Sequence, residues 1–155
     1  MQFTGKEDIE KPIDEVFDAV TDYEAFEKQV MRRGHEITRL DAQSSGGVGM
    51  SWKMRIPVRG TLRELTATVS RYDRPDHVAL DLRIGGLDAV VNVELIALSP
   101  KRTRMSLEIE LMPRSITSRV LVQSLRLKRA SLTKTLRKRL GEFAEHLEAR
   151  PSRTA

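Results

Sequence analysis

Three isolated histidines, one tryptophan and a long run of cations are the side chains of this 155-residue chain with the most chemistry to offer. His35, His77 and His146 have no partner at a metal-ligand spacing such as His-x-x-x-His, so they read as surface residues and no metal is expected. Cysteine is absent, which removes disulfides, thiol nucleophiles and thiolate metal sites. A Ser-His-Asp group assembles only in space and cannot be counted out, but no Gly-x-Ser-x-Gly elbow supports one. Gly46-Gly47-x-Gly49 precedes a strand, the wrong context for a phosphate loop, and Gly85-Gly86 fails for the same reason. No cofactor and no catalytic residue is therefore assigned. Glu64, Glu94 and Arg55 are charged strand residues that would act as pocket acids or bases only where a bulge turned them inward, because alternation places them outside.

Trp52 lies on the regular apolar face of a strand, where its indole N–H needs a partner if it is buried. A polar ligand group or a water would serve; the competing reading is an ordinary core tryptophan. The cations Arg114, Arg119, Arg126, Lys128, Arg129, Lys134, Arg137, Lys138 and Arg139 run without an acid between residues 112 and 141. Residues 1–113 carry 16 basic and 19 acidic groups (−3), and residues 114–155 carry 11 and 3 (+8), so the last quarter supplies the whole net charge of +5. Nucleic acid is disfavoured, because Trp52, Tyr23 and Tyr72 are not interleaved with these cations. An anionic membrane surface or an acidic protein fits the charge.

The elements that must position these groups follow from periodicity. Phe3 to Glu10 reads as an opening strand, and Pro12 starts a helix carrying Ile13, Val16, Phe17 and Val20 at helical spacing. A second short helix spans Tyr23 to Met31 and ends at Arg33-Gly34. The period then becomes two: Ile37 to Leu40, a turn at Ser44-Ser45-Gly46-Gly47, and the clearest strand, Val48 to Ile56. Pro57 to Gly60 turns the chain into Thr61 to Tyr72, Arg74-Pro75-Asp76 turns it again, and Val78 to Ile84 meets Asp88 to Leu98 across a Gly85-Gly86 hairpin. The strand holding Met105, Leu107, Ile109 and Leu111 closes the series. From Ser115 to Ala149 only Gly141 interrupts a helical pattern whose stripe is Leu121, Leu125, Leu132, Leu136, Leu140, Phe143 and Leu147. Ile116, Val120 and Leu127 form a second apolar strip well rotated from it, so the front half of this helix is expected to be covered on two sides, the second by a lipid surface, a lid or another copy of the chain. Arg129 lies near the main stripe, where it would meet a ligand carboxylate or snorkel outward. Together this is an α+β chain of six to seven antiparallel strands with a long C-terminal helix.

That order resembles the helix-grip fold, and local residues agree. Ile9-Glu10-Lys11-Pro12-Ile13-Asp14-Glu15-Val16-Phe17 followed by Asp22 is similar to the family's opening pattern I-x-x-P-x-x-x-V-F…D. Gly49-Met50-Ser51-Trp52 stands at the start of the third strand and Arg102-Thr103-Arg104-Met105 at the start of the last. The chain thus looks like a member of the START-like (SRPBCC) superfamily, in the branch of polyketide cyclase/dehydrase and lipid transport proteins. The resemblance implies a curved sheet gripping the last helix, with a ligand cavity between them for lipid, isoprenoid or polyketide-like molecules; coenzyme-Q-binding relatives are consistent with a membrane as partner of the basic helix, an acidic protein fits its charge equally well, and the sequence does not separate the two. Seven aromatics are few for filling such a bowl, and flexible methionines adapt to irregular ligands.

On that fold the expected ligand contacts are Met50, Trp52, Met54, Leu82, Ile84, Val93, Met105, Leu107, Ile109, Leu125, Arg129 and Leu132, and the expected membrane or partner surface is Arg126, Lys128, Lys134, Arg137 and Lys138. The leading expectation is a binding protein for an apolar small molecule. The rivals are a cyclase or dehydratase working by general acid/base groups in the cavity, and an interaction module or homodimer with a filled interior. The start of the chain lacks the basic and apolar stretches of a signal peptide, so a cytoplasmic protein is expected, at most peripheral to the membrane, with one domain over residues 1–150 and a frayed tail from Pro151 to Ala155.

Overall fold

The computed structural model describes residues 1–43, 46–58 and 60–151. Along the chain come β1 (Gln2–Ile9), α1 (Ile13–Val20), α2 (Tyr23–Arg32), β2 (Ile37–Arg39), β3 (Ser51–Val58), β4 (Thr61–Asp73), β5 (His77–Ile84), β6 (Leu87–Ser99), β7 (Arg102–Pro113), α3 (Ile116–Leu127) and α4 (Arg129–Glu148). Ser44 and Ser45 of the expected turn, Arg59 of the Pro57–Gly60 turn and residues 152–155 of the expected tail lie outside the described residues.

The strands form one antiparallel sheet in the order β1-β7-β6-β5-β4-β3-β2. α1 and α2 carry the chain from one edge, β1, to the other, β2; the remaining strands walk back hairpin by hairpin until β7 pairs with β1. Alternation decides the inner face. On β3 the odd-numbered Lys53 and Arg55 face solvent while Trp52 and Met54 are buried, and on β4 Leu65, Ala67 and Val69 are buried in turn. Val48, expected at the start of β3, is instead exposed in the preceding turn. Gly85-Gly86 makes the two-residue hairpin loop between the Ile84 and Leu87 pair.

The helices are fixed by caps and close approaches. Asp22 accepts from the Ala25 N–H at the start of α2, and Ser115 forms a capping box with Ser118 at the start of α3. Gly5 lets α4 lie directly on β1: a Cβ there would stand 2.6 Å from Leu140 Cδ1. The long C-terminal helix is broken at Lys128, whose φ of −105° and ψ of 15° leave the helical region. The sequence carries no Gly or Pro at this point; the two segments separate because α3 packs toward β7 and α4 follows β1.

Two buried clusters result. Ile9, Val16, Phe17, Val78, Leu95, Met105, Leu140, Ala144 and Leu147 fill the space where α1 and α4 press on β1, β6 and β7. Met50, Trp52, Met54, Leu65, Ala67 and Val69 form the second on β3 and β4, with Tyr23 and Val30 of α2 at its edge. No residue of α2 is itself buried, so α2 stands over this second cluster without closing on it.

Candidate ligand cavity

The floor of the site comes from strand register. Trp52 pairs with Ala67 and Ala67 with Leu82, while Met54 pairs with Leu65 in the next row. The small side chain of Ala67 between the bulky Trp52 and Leu82 lowers the middle of the floor. Above it lies a cavity of about 510 Å³. Ile56 and Leu80 complete the strand side, α1 and α2 supply Val20, Tyr23, Phe26 and Val30, and the mouth carries Gln29, Arg33, His35 and Arg139.

Trp52 organises the wall. Its Nε1 donates to Glu27 Oε1 at 2.8 Å, its ring packs at 5.1 Å from the Tyr23 ring and 6.1 Å from the Phe26 ring, and Arg39 Cζ lies 5.6 Å from the indole centroid. The partner the indole required is thus a carboxylate on α2. Arg39 is held in turn by Asp41, whose Oδ atoms also accept the backbone N–H groups of Ser51 and Gln43 at 2.9 and 3.0 Å. The Arg39 hydrogen bond and these two N–H groups hold the Asp41 carboxyl well below the usual carboxylate range. The Tyr23 hydroxyl is buried with no hydrogen-bond partner among the described residues, and burial pushes it up to about 12.

The ionisable side chains on this lining are Tyr23, Arg33, His35 and Arg139; no carboxylate is among them. Glu64 pairs with Lys53 at 3.4 Å on the opposite face of the sheet, close to Arg55, and Glu94 is exposed. No bulge therefore brings these three inward. His77 bonds Asn92 Oδ1 at 3.2 Å, and His146 is exposed on α4.

A second cavity of about 540 Å³ sits under α3, between Leu121, Ser124, Leu125 and Leu127 and the strand residues Val58, Ile84, Leu87 and Leu111, with Lys128 at its rim. Of the expected contacts, Trp52, Met54 and Leu82 line the first cavity and Ile84 and Leu125 the second. Met50 is buried in the same cluster as Trp52 and Met54 and lines neither cavity. Val93, Met105 and Leu107 belong to the cluster under α1 and α4, where protein side chains occupy the inner face. Ile109 faces Phe3 and Val91 in the sheet, and Leu132 is half-buried on α4; both line neither cavity. Arg129 turns to the strand edge, donating from Nη2 to the Gln2 carbonyl at 2.8 Å, with Cζ 6.0 Å from the Phe3 ring.

Arg126, Lys134 and Arg137 border a shallow surface groove beside the α3–α4 break, and Lys138 is exposed. Among the described residues none of these cations, nor Lys128, forms an ion pair. No helix among them is long and apolar enough to cross a membrane.

No protein-family model matches the sequence, and no curated protein does. The likeness to known proteins is structural. TTHA0849 of Thermus thermophilus superposes with a TM-score of 0.68 at 12% identity, covering 96% of this chain and 98% of that one. The Zhui aromatase/cyclase of a Streptomyces species gives 0.67 at 13% identity over 96% and 93% of the two chains. Truncated norcoclaurine synthase of Thalictrum flavum gives 0.66 at 11% identity over 96% and 91%. The chain has the START-like helix-grip fold.

Proposed function

We propose that this chain binds an apolar small molecule in the cavity between α2 and the inner face of β3, β4 and β5. The observation that carries the reading is the row Trp52-Ala67-Leu82: an apolar floor lowered at its centre, below a hollow of about 510 Å³ that no side chain among the described residues fills. Its size and apolar walls with a few polar groups at the mouth are those of a small-molecule site. General acid/base chemistry draws less support: Tyr23 and His35 both line the cavity, but Tyr23 holds its proton up to about 12 and the lining offers no carboxylate. Native mass spectrometry of protein purified from its own host tests the proposal: a retained small molecule, lost on denaturation, is expected. Ligand-free protein that also takes up no apolar dye would overturn it.

A second reading rests on α3. Ile116, Val120 and Leu127 are 80%, 58% and 89% exposed and lie within about 40° of one another around the helix, with Arg119 and Arg126 to one side. An apolar strip bordered by cations that form no ion pair among the described residues suits an anionic lipid surface, into which the strip would dip while the arginines meet headgroups. Flotation with anionic but not with neutral liposomes is expected, abolished when Arg126, Lys128, Arg137 and Lys138 are all changed to Glu. Equal flotation of the two proteins would contradict it, as would a dimer that Leu127→Ser dissociates, which would place a second copy on the strip.

A further inference from the structure

The two cavities share one face of the sheet. Ile56 lines the first and Val58 the second along β3, and Leu82 and Ile84 do the same along β5; residues two apart on a strand point the same way, about 7 Å from each other. The cavities are therefore neighbours along a single trough. Helix α4 measures its length from the other side: Lys128 rims the second cavity and Arg139 the first, eleven residues or about 16 Å apart along the helix.

The ends of this trough differ in chemistry. Arg33, His35 and Arg139 line the first mouth with Gln29, and neither arginine has an ion-pair partner among the described residues. The far end, under α3, is walled by Leu87, Leu111, Leu121 and Leu125. Two unpaired guanidinium groups at the rim of an apolar channel are suited to an anionic group, which each can bind through paired N–H donors. Resting on the cavity-binding reading above, we propose that the ligand is an elongated amphiphile: one anionic head group held by Arg33 and Arg139, and an apolar chain running past Ile56 and Leu82 to end beneath Leu121 and Leu125.

Displacement of a neutral naphthylamine dye by octanoate, palmitate and hexadecanol tests this. Palmitate should displace at a concentration at least about tenfold lower than octanoate, because its longer chain reaches the second cavity, and at least about tenfold lower than hexadecanol, which lacks the charge. Leu125→Trp, or Leu121→Phe if that variant fails to fold, should remove the advantage of palmitate over octanoate and leave octanoate unchanged. Arg33→Gln combined with Arg139→Gln should remove its advantage over hexadecanol. Equal displacement by the two acids would overturn the trough, and equal displacement by palmitate and hexadecanol would overturn the head-group assignment. In both cases dye that still binds the wild type and not Ala67→Trp would leave the cavity reading standing; dye that never binds would remove that reading as well.

Discussion

Trp52 Nε1 and Glu27 Oε1, 2.8 Å apart, join the sheet to α2 through a hydrogen bond between an almost fully buried indole and a half-buried carboxylate. This bond holds the cavity wall at a fixed height above its floor. Glu27→Ala would strand the indole N–H without an acceptor, at a cost of about 1–2 kcal/mol. Urea denaturation followed by Trp52 emission checks it, and Glu27→Gln, which keeps an acceptor, should lose clearly less.

Tyr23 is the reverse case, a buried hydroxyl without a partner among the described residues. Its removal in Tyr23→Phe should leave stability unchanged or raise it by up to about 1 kcal/mol, whereas deleting a satisfied buried hydroxyl would cost about that much or more. Thermal unfolding of the two proteins decides the sign.

The same residue predicts an alkaline limit. The folded chain holds the Tyr23 proton up to about 12 against an ordinary value of 10.0, so the folded state binds this proton more tightly than the unfolded one. Its contribution to stability is therefore complete below about pH 10 and is lost as pH rises from there through about 12. Ultraviolet titration should show one tyrosine ionising late, and Tyr23→Phe should remove that transition.

Asp41 gives the opposite sign. Its carboxyl titrates below its ordinary 3.8 because Arg39 and the Ser51 and Gln43 N–H groups favour the charged form. The stabilisation is present above that ordinary value and fades as pH falls below it. Wild type should be more stable than Asp41→Asn at neutral pH, and the two unfolding midpoints should converge as pH is lowered from about 4 toward 2. A gap that persists unchanged into acid would contradict this assignment.

Much of the fold was legible because alternation is local. The dry parity of Trp52, Met54 and Leu82 is written in their own strands, and so is the outward parity of Glu64 and Arg55. Parity names a face but not which stretch of it stays uncovered. Met105, Leu107 and Val93 have the same inward alternation, yet Phe17, Leu140 and Leu147 occupy the space in front of them. That difference is set by where α1 and α4 land, a long-range fact that spacing does not contain. Of the first cavity's residues absent from the expected set, Ile56, Leu65, Ala67 and Leu80 come from the strands, and the others, among them Tyr23, Phe26, Val30, Arg33, His35 and Arg139, come from the helices or the segment leaving α2. One signal was present: Tyr23, Phe26 and Val30 make an apolar stripe on a helix otherwise too polar to be buried. The break at Lys128 left none, since no residue near it disfavours a helix.

The sole tryptophan forms part of the cavity floor, so energy transfer from Trp52 to a neutral apolar naphthylamine dye tests the central claim most directly. Titration should quench Trp52 emission to saturation at one dye per chain, and Ala67→Trp or Leu82→Trp, folded by circular dichroism, should abolish the dye's own saturable fluorescence. Quenching that never saturates, or dye emission that both filled variants retain, would contradict a ligand site above Ala67.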